Sequence, residues 1–216
     1  MTVDYNDFAK TFSNSRKNMK WEEIEYFISF LSGKKDLKIL DVGCGNARLL
    51  GELKKHQLDI SDYLGVDLSS GLLEEAKNNH PENNFQELNM LDINTLHNNY
   101  NVIFLIASFH HLDNLDNRLS VLRQIHNLLE DGGIVFMTNW SLNSNLNQDK
   151  YKSSMIEGSE NDYGSTDYSI KIGTNHRYYH CFTLEELTYL FKQNNFEIIE
   201  NREFDTKKNF ISIIKN

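Results

Sequence analysis

The segment Lys38-Ile39-Leu40-Asp41-Val42-Gly43-Cys44-Gly45-Asn46 constrains this chain more than any other. It reads as a buried strand that ends in an acid and two alternating glycines, then runs into a helix. A chain needs that order when its backbone must approach a nucleoside-containing ligand at the carboxyl end of a central strand. Glycine at 43 and 45 leaves space that a side chain would fill. Asp41 places a carboxylate where it can accept hydrogen bonds from an ammonium group. Cys44 and Asn46 share the turn and join the candidate ligand contacts.

A dinucleotide site is the first rival. Its fingerprint wants a third glycine three residues after the second, where pyrophosphate meets the helix. Arg48 occupies that position, and the negative charge of Asp41 would repel a phosphate, so hydride chemistry with a nicotinamide cofactor is disfavoured. The segment resembles the first motif of class I S-adenosylmethionine-dependent methyltransferases. Their cofactor carries a cationic sulfonium and an amino acid end but no phosphate.

The apolar pattern elsewhere extends this to a whole fold. Trp21, Ile24, Phe27, Ile28 and Leu31 recur at helical spacing, and Tyr5 to Phe12 suggests a shorter helix, so residues 1–36 form a helical extension. Ala47 to His56 reads as helix. Strands are expected at Tyr63 to Asp67, Phe85 to Asn89, Asn101 to Ala107 and Ile134 to Trp140. Ser69 caps the helix after the second strand. Leu115, Leu119, Leu122, Ile125 and Leu129 stripe another helix, which Gly132 and Gly133 end. Thr183-Leu184-Glu185-Glu186 reads as a capping box opening a helix through Asn194. Phe196 to Phe204 and Asn209 to Lys215 then pair antiparallel, because their connection is short. Such alternation predicts one α/β domain over residues 1–216. The expected architecture is a Rossmann-like, seven-stranded, mostly parallel sheet with helices on both faces and a reversed C-terminal strand, as in class I methyltransferases. Residues 141–176, rich in Asn, Ser, Lys and Asp, read as a polar insertion or lid, ordered only in part.

Composition narrows the partners. Hydrophobic content of 39% and charged content of 25% are ordinary for a soluble domain. No apolar run approaches bilayer length, and MTVDYNDFAK lacks the core of a secretory signal. The two cysteines, Cys44 and Cys181, suggest no disulfide framework and have no metal-ligand spacing, which fits a reducing cytoplasm. A net charge of −9 argues against gripping nucleic acid over a broad basic face. Local clusters would have to serve, such as Lys10, Arg16, Lys17 and Lys20, or Lys207 and Lys208.

Asp41, Asp67 and Asp92 fall at the ends of successive strands, hence on one edge of a parallel sheet. Asp67 lies roughly 20 residues past the glycines, the spacing at which a carboxylate takes both ribose hydroxyls. Leu68 beside it is placed to pack on adenine. The methyltransferase resemblance implies that Asp92 accepts the adenine amino group, with Met90, Leu91 and Ile93 as apolar cover. It also puts Ala107 and Ser108 under the methionine part of S-adenosylmethionine.

Three further segments bear on the methyl acceptor: Phe12-Ser13-Asn14-Ser15-Arg16, Phe109-His110-His111-Leu112 and Arg177-Tyr178-Tyr179-His180-Cys181-Phe182. As a set they resemble the eukaryotic-type tRNA wobble-uridine carboxymethyl methyltransferases. Ser15, Ala47 and Phe210 stand where that family usually has threonine, glycine and tryptophan. The resemblance implies esterification of a carboxymethyl group on uridine, and a small zinc-binding activator protein as partner. It makes Arg16 and Arg177 candidates to hold the carboxylate, His110 or His111 to orient the substrate, and Tyr178 or Tyr179 to stack on the base, with His180 completing the motif. Taken singly, each has a plainer reading: Arg16 as an exposed charge, His111 as a buried ring on a carbonyl, the tyrosines as core aromatics. A small carboxylic acid, phenol or quinone precursor as acceptor, or a non-catalytic cofactor-binding subunit, are the alternatives.

Overall fold

The computed structural model describes residues 21–172 and 175–216. The strands are β1 (Leu37–Val42), β2 (Ile60–Asp67), β3 (Asn84–Glu87), β4 (Tyr100–Ile106), β5 (Leu129–Trp140), β8 (Glu197–Glu203) and β9 (Asn209–Lys215) in the main sheet, with β6 (Thr166–Ile172) and β7 (Asn175–Cys181) as a separate hairpin. The sheet order is β3-β2-β1-β4-β5-β9-β8, and β9 runs antiparallel to both neighbours. Strand order reverses between β1 and β4, which opens a crevice at their carboxyl ends. The four segments expected to build the cofactor site follow β1, β2, β3 and β4, which are parallel and end on that edge.

Helices cover both faces of the sheet, which is why the central strands are apolar on both sides. On one face, α4 (Leu115–Leu128) and α6 (Leu184–Gln193) bury Leu40, Val42, Ile103, Leu105, Val135 and Met137. On the other, α1 (Glu22–Leu31) and α2 (Arg48–Lys55) bury Ile39, Val102, Phe104, Phe136 and Ile213. Ile24, Phe27, Ile28 and Leu31 of α1 are fully part of this core, and Phe27 meets Phe136 at 5.0 Å between ring centroids. A further helix, α3 (Ser70–Asn79), starts where Ser69 Oγ accepts the Leu72 amide. The expected Tyr5 to Phe12 helix lies outside the described residues. Among the described residues no helix is long and apolar enough to cross a membrane.

Three local expectations are corrected. Helix α4 stops at Leu128 without a left-handed cap, and Gly132 and Gly133 lie inside the irregular start of β5 instead. Gly133 is required there by space, since a Cβ would sit 2.8 Å from the Glu130 carbonyl oxygen. The 141–176 region is built rather than loose: it holds the short helix α5 (Gln148–Tyr151) and strand β6, paired in register with β7 so that Tyr168 faces Tyr179. Its few apolar residues alternate along β6, so Tyr168 and Ile170 join Leu142, Tyr179 and Cys181 in a small core despite a polar average. The capping box is half made. Thr183 Oγ1 accepts the Glu186 amide, but the Glu186 side chain turns to Arg118 and His180.

Candidate active site

A cavity of about 930 Å³ opens at the carboxyl ends of β1 and β4. This is at the upper end for small-molecule sites, with space for a cofactor and a second reactant. The β1 turn is pinned to β2, because Gly43 and Cys44 donate their amides to the Val66 carbonyl at 2.8 and 3.0 Å. The glycines differ in purpose. A Cβ on Gly43 would lie 2.4 Å from Ser108 Cβ, so Gly43 is required by packing against the β4 end, where Ser108 Oγ also donates to the Val42 carbonyl. Gly43 still borders the cavity, but the reason for glycine there is the Ser108 contact rather than space for a ligand. Gly45, at φ +54°, would meet only Leu72 at 3.9 Å and keeps the open position. Ala47, at φ 61°, is left-handed where the resembled family usually has glycine.

Asp41 and Asp67 both line the cavity. Asp41 is 1% exposed and accepts the Tyr63 hydroxyl at 2.8 Å; burial pushes its carboxyl up to about 7. Asp67 accepts the Gly45 amide at 2.8 Å on one oxygen and the Ser69 amide at 2.9 Å on the other. Burial raises its pKa, and those amides oppose the rise. Cys44, Asn46, Leu68, Leu91 and Ala107 also border the cavity. Ala107 holds φ 54° at the end of β4, its amide bonded to the carbonyl and the hydroxyl of Thr138. Asp92 does not join them. It is exposed on the short 3-10 helix Met90–Thr95, and Leu88 to Leu91 form the wall at that side.

At the other end of the cavity stands an aromatic group. Trp140 stacks on Tyr179 at 5.0 Å and 16°, His110 and His111 contact the Tyr179 ring at 5.2 and 4.7 Å, and Tyr151 lies 6.5 Å from Trp140. The Arg177 guanidinium sits 5.4 Å over Tyr179, and the Lys150 ammonium 4.8 Å over Tyr151. Lys208, whose carbonyl accepts the Ser141 amide beside Trp140, borders the same cavity. His110 is buried and accepts the Trp140 amide on Nδ1, so its proton resides on Nε2. Burial, then the charges of Arg177 and His180, hold its pKa well below the ordinary value. Neither His110 Nε2 nor the Tyr179 hydroxyl has a hydrogen-bond partner among the described residues. His111 Nδ1 meets the Tyr178 carbonyl at 2.9 Å.

The structure therefore gathers His110, His111, Arg177 and Tyr179 at one end and separates two other candidates from it. His180 does not border the cavity; both its nitrogens face carboxylates of Asp167 and Glu186. The Tyr178 hydroxyl is committed to Asp167 and Arg118, so it is tied into the wall rather than free to meet a base. Arg16 lies outside the described residues. Trp140, Lys150 and Tyr151 were not legible as site residues, since the first is a strand-end aromatic and the others belong to a polar stretch. Arg48, in the place of the third glycine, lines the cavity with its guanidinium 4.0 Å over the Trp21 ring.

Comparison with known proteins agrees with this architecture. Residues 15–201 match the family described as methyltransferase domain. A protein of Encephalitozoon cuniculi named as a methyltransferase is 24% identical over 91% of this chain and 87% of its own length. The tRNA (carboxymethyluridine(34)-5-O)-methyltransferase of Xenopus tropicalis is 27% identical over 94% of this chain, which spans only 32% of that relative. Its counterpart in Saccharomyces cerevisiae is 28% identical over 73% of this chain and 52% of its own length. The solved S-adenosylmethionine-dependent methyltransferase from Clostridium acetobutylicum superposes with a TM-score of 0.69 at 15% identity, covering 98% of both chains. With an acid-and-glycine crevice at the reversal of a 3-2-1-4-5-9-8 sheet, the chain belongs to the methyltransferase domain family and is built as a class I S-adenosylmethionine-dependent methyltransferase.

Proposed function

We propose that this enzyme methylates a carboxylate, and that the acceptor is the carboxymethyl group of a modified wobble uridine in tRNA. One observation carries the reading: on a chain of net charge −9, Arg177, Lys150 and Lys208 surround an aromatic stack in the same cavity as Asp41 and Asp67. Planar aromatics with cations around them suit a nucleobase attached to an anionic backbone. The relatives from frog and yeast, named for that nucleoside, support the choice.

S-adenosylmethionine, when bound, supplies an electrophilic methyl on a cationic sulfonium. On the cofactor side, Asp41 would take the ammonium end, and each Asp67 oxygen keeps a lone pair that a ribose hydroxyl would use. Cys44, Gly45 and Asn46 would form the floor, Leu68 and Leu91 would cover the base, and Ala107 would lie under the amino acid end. On the acceptor side, Arg177 binds the carboxylate as a fork. His110 Nε2–H and the Tyr179 hydroxyl offer two buried neutral donors, which gain partners when an oxygen-rich acceptor enters. A carboxylate is already ionised near neutral pH, so no general base is needed. The residues contribute orientation and exclusion of water.

The test is transfer of labelled methyl from S-adenosylmethionine to total tRNA by the purified protein, followed by digestion to nucleosides. A base-labile label on a wobble uridine is expected; absence of label from every tRNA nucleoside overturns the reading. A second reading, a small carboxylic acid as acceptor, is favoured by the wall that Asn147, Lys150 and Tyr151 add to the cavity. It predicts label on free aromatic or aliphatic acids in the same assay. Turnover that requires an added small protein would supply the activator implied by the resemblance.

A further inference from the structure

Behind the acceptor wall lies a closed ring of five hydrogen-bonded side chains from four elements. Arg118 on α4 donates to Glu186 on α6 at 3.3 Å. Glu186 meets His180 Nε2 at 2.8 Å, and His180 Nδ1 meets Asp167 on β6 at 2.6 Å. The Tyr178 hydroxyl donates to Asp167 at 2.7 Å and accepts from Arg118 at 3.1 Å, which closes the ring. Arg118 is anchored further on the Leu112 carbonyl by Nε at 3.2 Å and Nη2 at 3.1 Å, and Asn161 supports Glu186 at 3.2 Å. Both ring nitrogens of His180 thus meet a carboxylate, and the buried Arg118 guanidinium is held against the same Glu186.

Buried ion clusters are poor devices for stability, because desolvation offsets most of the attraction. Apolar residues would fill the same space, so the location of the ring is its informative property. Alternate residues of a strand face opposite sides. Tyr178 and His180 are on the side of β7 that the ring grips. Arg177 and Tyr179 are on the other, against Trp140 and His111. His111 adds a third hold through the Tyr178 carbonyl. The ring thereby ties a hairpin that is not part of the main sheet to two helices that are packed on it.

We propose that Arg118, Asp167, Glu186 and His180 are positioning residues: through Tyr178 they hold β7 so that Arg177 and Tyr179 meet the acceptor in line with the cofactor. The proposal deepens the function above and rests on the assignment of Arg177 and Tyr179 to the acceptor end. It recasts His180, read from the sequence as a site residue, as one that acts through its neighbours.

The experiment compares wild type with His180→Gln, Glu186→Gln and the milder Tyr178→Phe, which removes one hydroxyl from the ring. Affinity for S-adenosylhomocysteine is measured by calorimetry, kcat and KM with total tRNA, and Trp140 emission in a Trp21→Phe background. Displacement of a reacting group by about an ångström costs on the order of a hundredfold in rate. The expected result is a fall in kcat of about tenfold or more for the Gln variants and a smaller fall for Tyr178→Phe. Cofactor-product affinity should stay within about twofold, and Trp140 emission should shift as its contact with Tyr179 loosens. Unchanged kcat and emission in folded variants overturn the proposal. So does loss of cofactor affinity in step with turnover, which marks a general structural role. Should His180→Gln or Glu186→Gln not fold, Tyr178→Phe decides by the same measures. A wild type with no transfer to tRNA refutes the acceptor reading alone, and the emission of the variants still decides the ring.

Discussion

Asp41→Asn should make the ligand-free protein more stable while weakening its grip on the cofactor. Asp41 is 1% exposed and its carboxyl is raised from 3.8 to about 7, chiefly by burial, with the Tyr63 hydroxyl opposing the rise. The folded protein therefore holds a proton on Asp41 that the unfolded chain releases. Stability from the protonated carboxyl is complete below the unfolded value, is lost as pH rises towards the folded value, and levels off above about 7. At about 1.4 kcal/mol per pH unit, the whole loss is about 4 kcal/mol. Asparagine does not titrate, has nearly the same shape and still accepts the Tyr63 hydroxyl. Urea denaturation of both proteins at about pH 4.5 and about pH 8 isolates this group, because other titrations cancel in the difference. The advantage of Asp41→Asn should grow by about 3 kcal/mol between those conditions and change little at higher pH. Calorimetry with S-adenosylhomocysteine should show a roughly ten- to hundredfold loss of affinity, since a charged hydrogen bond contributes about 1.5–3 kcal/mol. A constant stability difference between the two pH values would refute the buried-carboxylate argument. Unchanged affinity would refute its role toward the ammonium.

The two glycines of the turn should separate packing from binding. Gly43→Ala forces a Cβ to within 2.4 Å of Ser108 at φ +79° and should cost about 2–4 kcal/mol in thermal or urea unfolding. Gly45→Ala should cost only about 1–2 kcal/mol of backbone strain while lowering affinity for S-adenosylhomocysteine; the reverse order would contradict the assignment. Asp67→Ala should reduce that affinity by about tenfold or more and also loosen the Gly45 and Ser69 amides, visible as faster hydrogen exchange there. Arg177→Ala should leave cofactor-product affinity nearly intact while methyl transfer falls about a hundredfold, the scale of a charged hydrogen bond lost in the reacting complex. Equal loss of both would refute its placement at the acceptor.

Much of the fold was legible because its signals are local. Burial on both faces makes apolar runs such as Asn101 to Ala107, helices show stripes that include Leu122 and Ile125, and the Asp41–Asn46 turn advertises its tight geometry through glycine. These are properties of a residue and its near neighbours, so the order of elements and the reversed final strand follow from them. What tertiary packing alone decided concerns partners far apart in the chain. Glu186 has the spacing of a capping box, yet a buried His180 and Arg118 draw its carboxylate away with two side-chain contacts. Gly43 reads in sequence as room for a ligand, but Ser108, brought in by β4, occupies the place a Cβ would take. Asp92 has the expected place in sequence but leaves the cavity wall because its short 3-10 helix rotates it to solvent. Trp140, Lys150, Arg177 and Lys208 come from four separate segments and meet only when the β6–β7 hairpin docks beside β5. Periodicity tells which face of an element is buried; which polar side chains then meet depends on how those faces pack across the whole domain.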